Sequence, residues 1–190
     1  MKQENKEGVR SDLASRFATL SPAAQTLLRR KLRKKGLAAL VNETIRPRET
    51  AEPAPLSFAQ ERLWFLDQLE PVSAVYNIAR AFRLTGPLDV SALERSLNEI
   101  VRRHESLRTS FKSVAGSPRQ VIASSLVLSP TVIDVSERPE SEREDEAARL
   151  AGEETRRPFD LSRGPLIRAT LVRLHEEQHV FLLNMHHIVS

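Results

Sequence analysis

Two adjacent histidines, His186 and His187, close an apolar run from His179 to Met185. An imidazole titrates nearer to neutrality than any other unperturbed side chain. The end of a strand gives such a group a rigid mount. Proton abstraction, or orientation of a nucleophile, is the chemistry such a pair offers, although paired histidines are also ordinary polar punctuation where a strand leaves a sheet. A metal site fits poorly. His175, His179, His186 and His187 contain no i, i+4 pair on a helix, and no carboxylate joins them at ligand spacing. The six glycines form no phosphate-binding loop, and there is no Gly-x-Ser-x-Gly elbow. With no cysteine, disulfides, thiol nucleophiles and cysteine-based metal sites are excluded.

The elements that must hold the histidines follow from hydrophobic period. Residues 166–174 and 179–185 are long apolar runs joined by a short hairpin, as expected of strands in a covered sheet. Residues 140–157, rich in Glu, Arg and Ala, predict a surface helix stopped by Pro158. Tyr76 to Leu84 reads as a strand ended by Thr85-Gly86-Pro87. A helix follows to about His104, capped by Asp89 or Ser91, the latter in capping-box spacing with Glu94. Leu93, Leu97, Ile100 and Val101 form its buried stripe. Leu107 to Lys112 alternates as a strand, Gly116-Ser117-Pro118 reads as a turn, and 120–123 and 131–135 as short strands. Upstream, Leu56 to Leu69 predicts a packed helix capped by Ser57. Phe58, Leu63, Trp64, Phe65, Leu66 and Leu69 give it a wide apolar surface. Gln60 and Arg62 are its polar exceptions, expected to be satisfied structural hydrogen-bonders. The order predicts an α/β fold, a two-layer α/β sandwich over residues 56–190.

Residues 1–46 differ. Residues 1–10 are polar, 11–20 allow a short helix, and a clearer helix begins at Ser21-Pro22. Leu27, Leu28 and Leu32 make its stripe, basic residues load its last turns, and Gly36 suits its C-terminal cap. Residues 47–55, with Pro47, Pro53 and Pro55, read as a linker. The charge is split at the same place. Residues 1–48 carry 12 Lys+Arg against 4 Asp+Glu, and the remainder carries 17 against 21. The pI of 9.8 therefore reflects the N-terminal segment, and the main body would not attract phosphate backbones as a whole. No signal peptide or membrane-length apolar run is visible, and the lack of cysteine fits a reducing cytoplasm.

Three segments carry a resemblance: Ser57-Phe58-Ala59-Gln60-Glu61-Arg62-Leu63-Trp64-Phe65-Leu66, Arg103-His104-Glu105-Ser106-Leu107-Arg108-Thr109-Ser110-Phe111, and Met185-His186-His187-Ile188-Val189-Ser190. In order and spacing they resemble the first three core motifs of condensation domains of non-ribosomal peptide synthetases. Tyr76-Asn77-Ile78 and Arg157-Pro158-Phe159-Asp160-Leu161 are similar to that family too. The resemblance implies a fold like chloramphenicol acetyltransferase, two lobes around a tunnel, with this chain as the N-terminal lobe. The third motif, His-His-x-x-x-Asp-Gly in the family, continues into Asp-Gly immediately beyond Ser190. It also implies that His187 is the general base or amine-positioning group and that His186 turns its ring into the lobe. Arg108 would pair with the acidic residue of the third motif and hold the histidine loop. Ser57, Gln60, Arg62 and His104 would serve as motif residues of structural role.

The reaction so implied is amide formation between carrier-bound thioesters. The 4′-phosphopantetheine arms belong to upstream and downstream peptidyl carrier proteins, so this chain is expected to bind no cofactor. Residues 1–46 are similar to docking segments that receive an upstream synthetase subunit, and the basic helix suits an acidic partner. Neither nucleic acid nor a membrane is an expected partner. A CoA-dependent acyltransferase, an epimerisation or ester-forming relative, and a non-catalytic lobe with a docking segment remain the alternatives. Without a second lobe to orient two thioesters, the 190-residue chain alone is expected to be inactive.

Overall fold

The computed structural model describes residues 19–34 and 52–190. In chain order its elements are α1 (Pro22–Lys34), β1 (Ala54–Pro55), α2 (Phe58–Leu69), β2 (Asn77–Thr85), α3 (Val90–Arg103), a 3₁₀ turn (Glu105–Arg108), β3 (Thr109–Val114), β4 (Ser117–Ile122), β5 (Thr131–Asp134), α4 (Glu140–Arg156), β6 (Ile167–His175), β7 (Gln178–His186) and a second 3₁₀ turn (His187–Val189). The chain divides into two units, Met1–Glu49 and Thr50–Ser190.

In the first unit, the Ala24 amide donates to Ser21 Oγ at 3.4 Å, satisfying one orphan donor at the start of α1. Leu27 is exposed, whereas Leu28 and Leu32 are half-buried. The short helix expected before it and the cap at Gly36 lie outside the described residues.

In the second unit the apolar runs become the middle of a four-stranded sheet ordered β2-β7-β6-β5. Its β2/β7 and β7/β6 pairs are antiparallel, and β5/β6 is parallel. A smaller antiparallel sheet is ordered β1-β4-β3. Because side chains alternate along a strand, β6 and β7 feed two cores. Ile167, Ala169, Leu171 and Phe181 pack with Val101, Leu107 and Phe111, against Leu63, Trp64, Leu93 and Leu97 of α2 and α3. Val172, Leu174, Val180 and Leu182 pack with Ala147, Leu150 and Ala151 of α4. Each large side chain so buried contributes roughly 1.5–3 kcal/mol. Covering on both faces is why β6 and β7 read as continuous apolar runs.

Several expectations need correction. Asp89, not Ser91, caps α3, accepting from the Ala92 amide at 2.9 Å; Ser91 lies inside the helix, and Glu94 instead accepts from Ser129 Oγ at 2.7 Å. Ile100 is exposed rather than part of the buried stripe. Residues 105–108 form a 3₁₀ turn, so the strand begins at Thr109 and Arg108 is not a strand residue. The β3–β4 turn is Ala115-Gly116, both at positive φ as a tight hairpin of right-handed twist requires, and Ser117-Pro118 already belong to β4. Ala54–Pro55, within the stretch read as linker, pair with Gln120 and Arg119. The largest departure is α2. Phe58 (92% exposed), Phe65 (57%) and Leu69 (62%) face outward, and only Leu63 and Trp64 are packed on the core there.

Candidate functional site

β7 ends at His186, and the chain turns at once into the 3₁₀ turn carrying His187. The strand alternation places His186 on the same sheet face as Asn184. His186 is 3% exposed, with its ring edge-on to Tyr76 (6.2 Å between centroids) and Phe159 (6.3 Å). Its Nδ1 accepts the Ile188 amide at 3.2 Å, which caps the 3₁₀ turn. Burial, with the neighbouring His187 adding to it, pushes the His186 pKa down to about 4. His186 is therefore a neutral structural group at pH 7.

His187 is exposed. Its amide donates to Tyr76 O at 2.8 Å, fixing its backbone to the residue before β2. Its Nδ1 lies 2.7 Å from Ser190 Oγ, and that hydroxyl also donates to His187 O at 2.9 Å. The turn is tied from a third side by Gln60. Its Oε1 accepts the Ser57 amide at 3.0 Å while Ser57 Oγ accepts the Gln60 amide at 3.3 Å, a capping box. Gln60 Nε2 then reaches Ile188 O at 3.2 Å and Gln120 Oε1 at 3.4 Å. Gln120 in turn donates to Pro55 O at 2.8 Å. The same carboxamide thus caps α2 and anchors the turn after β7.

A cleft of about 260 Å³ opens beside His186, between the end of α2 and the loop before β2, with Leu66, Asp67, Glu70 and Tyr76 in its lining. Burial raises the Asp67 pKa there. Among the described residues, no three His, Asp or Glu side chains converge as a metal site would need, and no helix is long and apolar enough to cross a membrane.

The condensation-domain family model matches residues 50–190, the whole of the second unit. The chain belongs to the condensation domain family. It is 58% identical over 135 residues to one of the linear gramicidin synthase subunits of Brevibacillus parabrevis, covering 71% of this chain and 3% of that protein. It is 44% identical over 180 residues to phosphinothricin tripeptide synthetase PhsC of Streptomyces viridochromogenes, covering 94% of this chain and 16% of that protein. Among solved structures, the first condensation domain of the calcium-dependent antibiotic synthetase, in complex with a substrate analogue, is 29% identical with a TM-score of 0.64. The match covers 72% of this chain and 33% of that one. The starter condensation domain of rhizomide synthetase RzmA is 27% identical with a TM-score of 0.66, at 72% and 33% coverage. The chain thus spans a small part of the synthetases it matches and about a third of the solved chains.

Within this condensation-domain lobe the first and third motifs meet through Gln60 and Ile188. The second stands apart. His104 is exposed and serves as the C-cap of α3, its amide donating to Ile100 O at 3.0 Å and its carbonyl accepting from the Leu107 amide at 3.1 Å. The Arg108 guanidinium bonds to Ala123 O and sits 3.4 Å from Glu105, so it is engaged away from the histidine turn. Arg62 is exposed and, among the described residues, has no hydrogen-bond or ion-pair partner, contrary to the expectation that it is a satisfied hydrogen-bonder. Sequence reasoning missed Gln120, an ordinary strand residue in sequence that joins Pro55 to Gln60 only because sheet pairing brings β4 beside β1. It gave Tyr76 and Phe159 no site role. The break at Pro158 and the strand start after Tyr76 were the available signals, since both fix an aromatic where the chain leaves one element for another.

Proposed function

We propose that this chain supplies the N-terminal lobe of a condensation domain that forms amide bonds in non-ribosomal peptide synthesis, with His187 as its reactive group. The observation that supports this most is the division of labour in the pair. His186 is buried and used up in holding the turn, while His187 is exposed on a turn fixed through Tyr76 O and Gln60. When Ser190 Oγ gives its one hydrogen to His187 O, the ring's Nδ1–H donates to Ser190 Oγ, and Nε2 presents a free lone pair.

In this reading, the amine of a carrier-bound aminoacyl thioester attacks the carbonyl carbon of an upstream acyl or peptidyl thioester. Nε2 of His187 receives or orients the amine proton as the carbon–nitrogen bond forms. The carbon–sulfur bond then breaks, and the leaving thiolate takes a proton to become the free thiol. Both thioesters are carried on 4′-phosphopantetheine arms of upstream and downstream carrier proteins, which are substrates in trans, and the work is cytoplasmic. Arg108, set in the 3₁₀ turn after α3, exchanges its contacts with Ala123 O and Glu105 for an acidic partner of the histidine motif. Residues 1–46 dock an acidic segment of an upstream synthetase chain, with the basic helix α1 as the contact.

The test is His187→Ala in the intact synthetase, with both carriers loaded and dipeptidyl product read by mass. Loss of general-base assistance predicts a fall of about 10²–10⁴-fold with unchanged carrier loading. A variant that keeps its full rate ends the proposed role of His187. Turnover of acyl-CoA or ester formation by the parent enzyme would instead favour another acyltransferase on the same fold. For the docking segment, deletion of residues 1–46 should abolish transfer from the separate upstream synthetase chain but not from substrates supplied on the adjacent carriers.

A further inference from the structure

Arg168, in β6 opposite Asn184, is only 17% exposed at its side chain, and all its nitrogens are engaged. Nε pairs with Glu154 of α4, itself 13% exposed. Nη1 donates to Pro158 O at 3.1 Å, and Nη2 donates to Arg157 O at 2.7 Å. The planar fork therefore binds the chain at the point where α4 ends and turns back toward the sheet, a geometry that an ammonium group cannot reproduce. Its carbon Cζ lies 3.7 Å from the centroid of Phe159, the next residue along. The other side of the relay is His186, whose ring meets Phe159 edge-on. From there Nδ1 holds the Ile188 amide, the first bond of the turn carrying His187.

We propose that Arg168 is a positioning residue of the histidine turn: it fixes the 157–159 segment, so that Phe159 locks His186 in the orientation whose Nδ1 accepts from Ile188. Arg168 touches neither His187 nor any reacting atom. Its influence passes through one aromatic ring and one imidazole. Its consequence for catalysis rests on the amide-forming reading above, but the lock itself is a property of the 190-residue chain and is read there without turnover.

The experiment is NMR on the 190-residue chain. Imidazole ¹⁵N shifts report the His186 tautomer, and amide exchange reports the Ile188 bond. Amides at the centre of β6 report global unfolding. In the parent, His186 carries its proton on Nε2, and Ile188 is protected. In Arg168→Met, the His186 tautomers become mixed, and Ile188 exchange rises about tenfold, as expected for loss of one hydrogen bond, while the β6 amides stay protected. Arg168→Lys keeps the charge beside Glu154 but loses the fork, and it should not restore the parent pattern. Should Arg168→Met fail to fold, Phe159→Leu removes the ring while leaving every polar bond of Arg168 in place, and the same two changes are expected. A folded Arg168→Met or Phe159→Leu with the parent tautomer and parent Ile188 exchange overturns the proposal, as does a lysine variant indistinguishable from the parent. Because no turnover is measured, a synthetase that proves to do other chemistry leaves this result standing.

Discussion

The two faces of the four-stranded sheet are completed by different means. On the α4 face, polar side chains close the packing. The last carbonyls of a helix have no partners within it. Here Asn184 donates to Glu154 O at 2.7 Å, and Asn77 donates to Thr155 O and Arg157 O at 2.9 Å each. Arg168 takes Arg157 O and Pro158 O. On the opposite face α2 rests on the core through Leu63 and Trp64 while Phe58, Phe65 and Leu69 point away from it. Just beyond, Val72 sits at φ 72°, a left-handed conformation that is an outlier for a β-branched residue. One face is tied by specific bonds, although Oδ1 of Asn77 and of Asn184 stays unpartnered there, and the other carries apolar surface that the fold does not use. Unused strain and exposed aromatics collect where proteins do their work rather than where they hold together. The histidine turn stands at the junction of the two, with His186 on the α4 side and His187 exposed.

The contrast breaks most visibly in the core that both α2 and α3 share. Phe111 is 1% exposed, and Phe111→Ala should cost about 3–5 kcal/mol in urea unfolding, because a large cavity opens among residues that cannot close it. A small effect there would mean that the face is loosely packed throughout, not only at α2.

On the α4 face, acid is the sharper probe. The His186 pKa is held at about 4 against an ordinary 6.5; burial also lowers that of His179, which the strand alternation sets on the opposite face with Phe181. A depressed histidine pKa means that the unfolded chain binds more protons, so stability is full above about pH 6.5 and declines as pH falls toward 4. His186 alone gives a loss of up to about 3 kcal/mol across that window. His186→Asn should flatten this slope between pH 6.5 and 4, leaving the smaller share from His179. A slope that survives intact would place the acid sensitivity elsewhere.

Next in size is Glu154→Ala. Removing one partner from a well-buried ion pair can cost 3–5 kcal/mol, and the residual exposure of this pair brings the expectation to about 2 kcal/mol. The exposed Arg83–Glu144 pair, bidentate at 2.8 and 2.7 Å where Arg168 meets Glu154 through Nε alone, and also joining α4 to the sheet, should be worth no more than about 1 kcal/mol. Equal costs for the two would show that burial is not what distinguishes them.

Much of this was legible in the sequence. The continuous apolar period of 166–174 and 179–185 predicts covered strands, and β6 and β7 are covered on both faces. Pro158 ends α4 as expected, and Ser57 with Gln60 carries the cap of α2 locally. What could not be read depends on pairing across the sheet. Nothing near Gln60 in sequence says that its amide meets Ile188, 128 residues away. Arg168 looks like any polar residue in an alternating strand, until the register sets it opposite Asn184 and beneath the end of α4. Ser91 with Glu94 fits a capping box as well as Asp89 does, and the choice was made by where the chain leaves the Gly86 turn. The error on α2 was of another kind. Hydrophobic content measures how much surface a helix would gain by burying, not how much of it this chain buries.

That error sets the smallest expected effect, and it tests the contrast most directly. If Phe58 and Phe65 are as exposed as their positions indicate, Phe58→Ser and Phe65→Ser should leave the urea midpoint nearly unchanged, within about 0.5 kcal/mol. Both substitutions should lower the binding of an apolar dye and raise the concentration at which the chain self-associates, since the removed rings are exposed apolar groups that share a helical face with Leu69. The two readouts must separate for the argument to hold. Loss of about 2 kcal/mol or more at either position would mean that the ring is packed after all, that α2 is core in the ordinary sense, and that the two faces of the sheet do not differ.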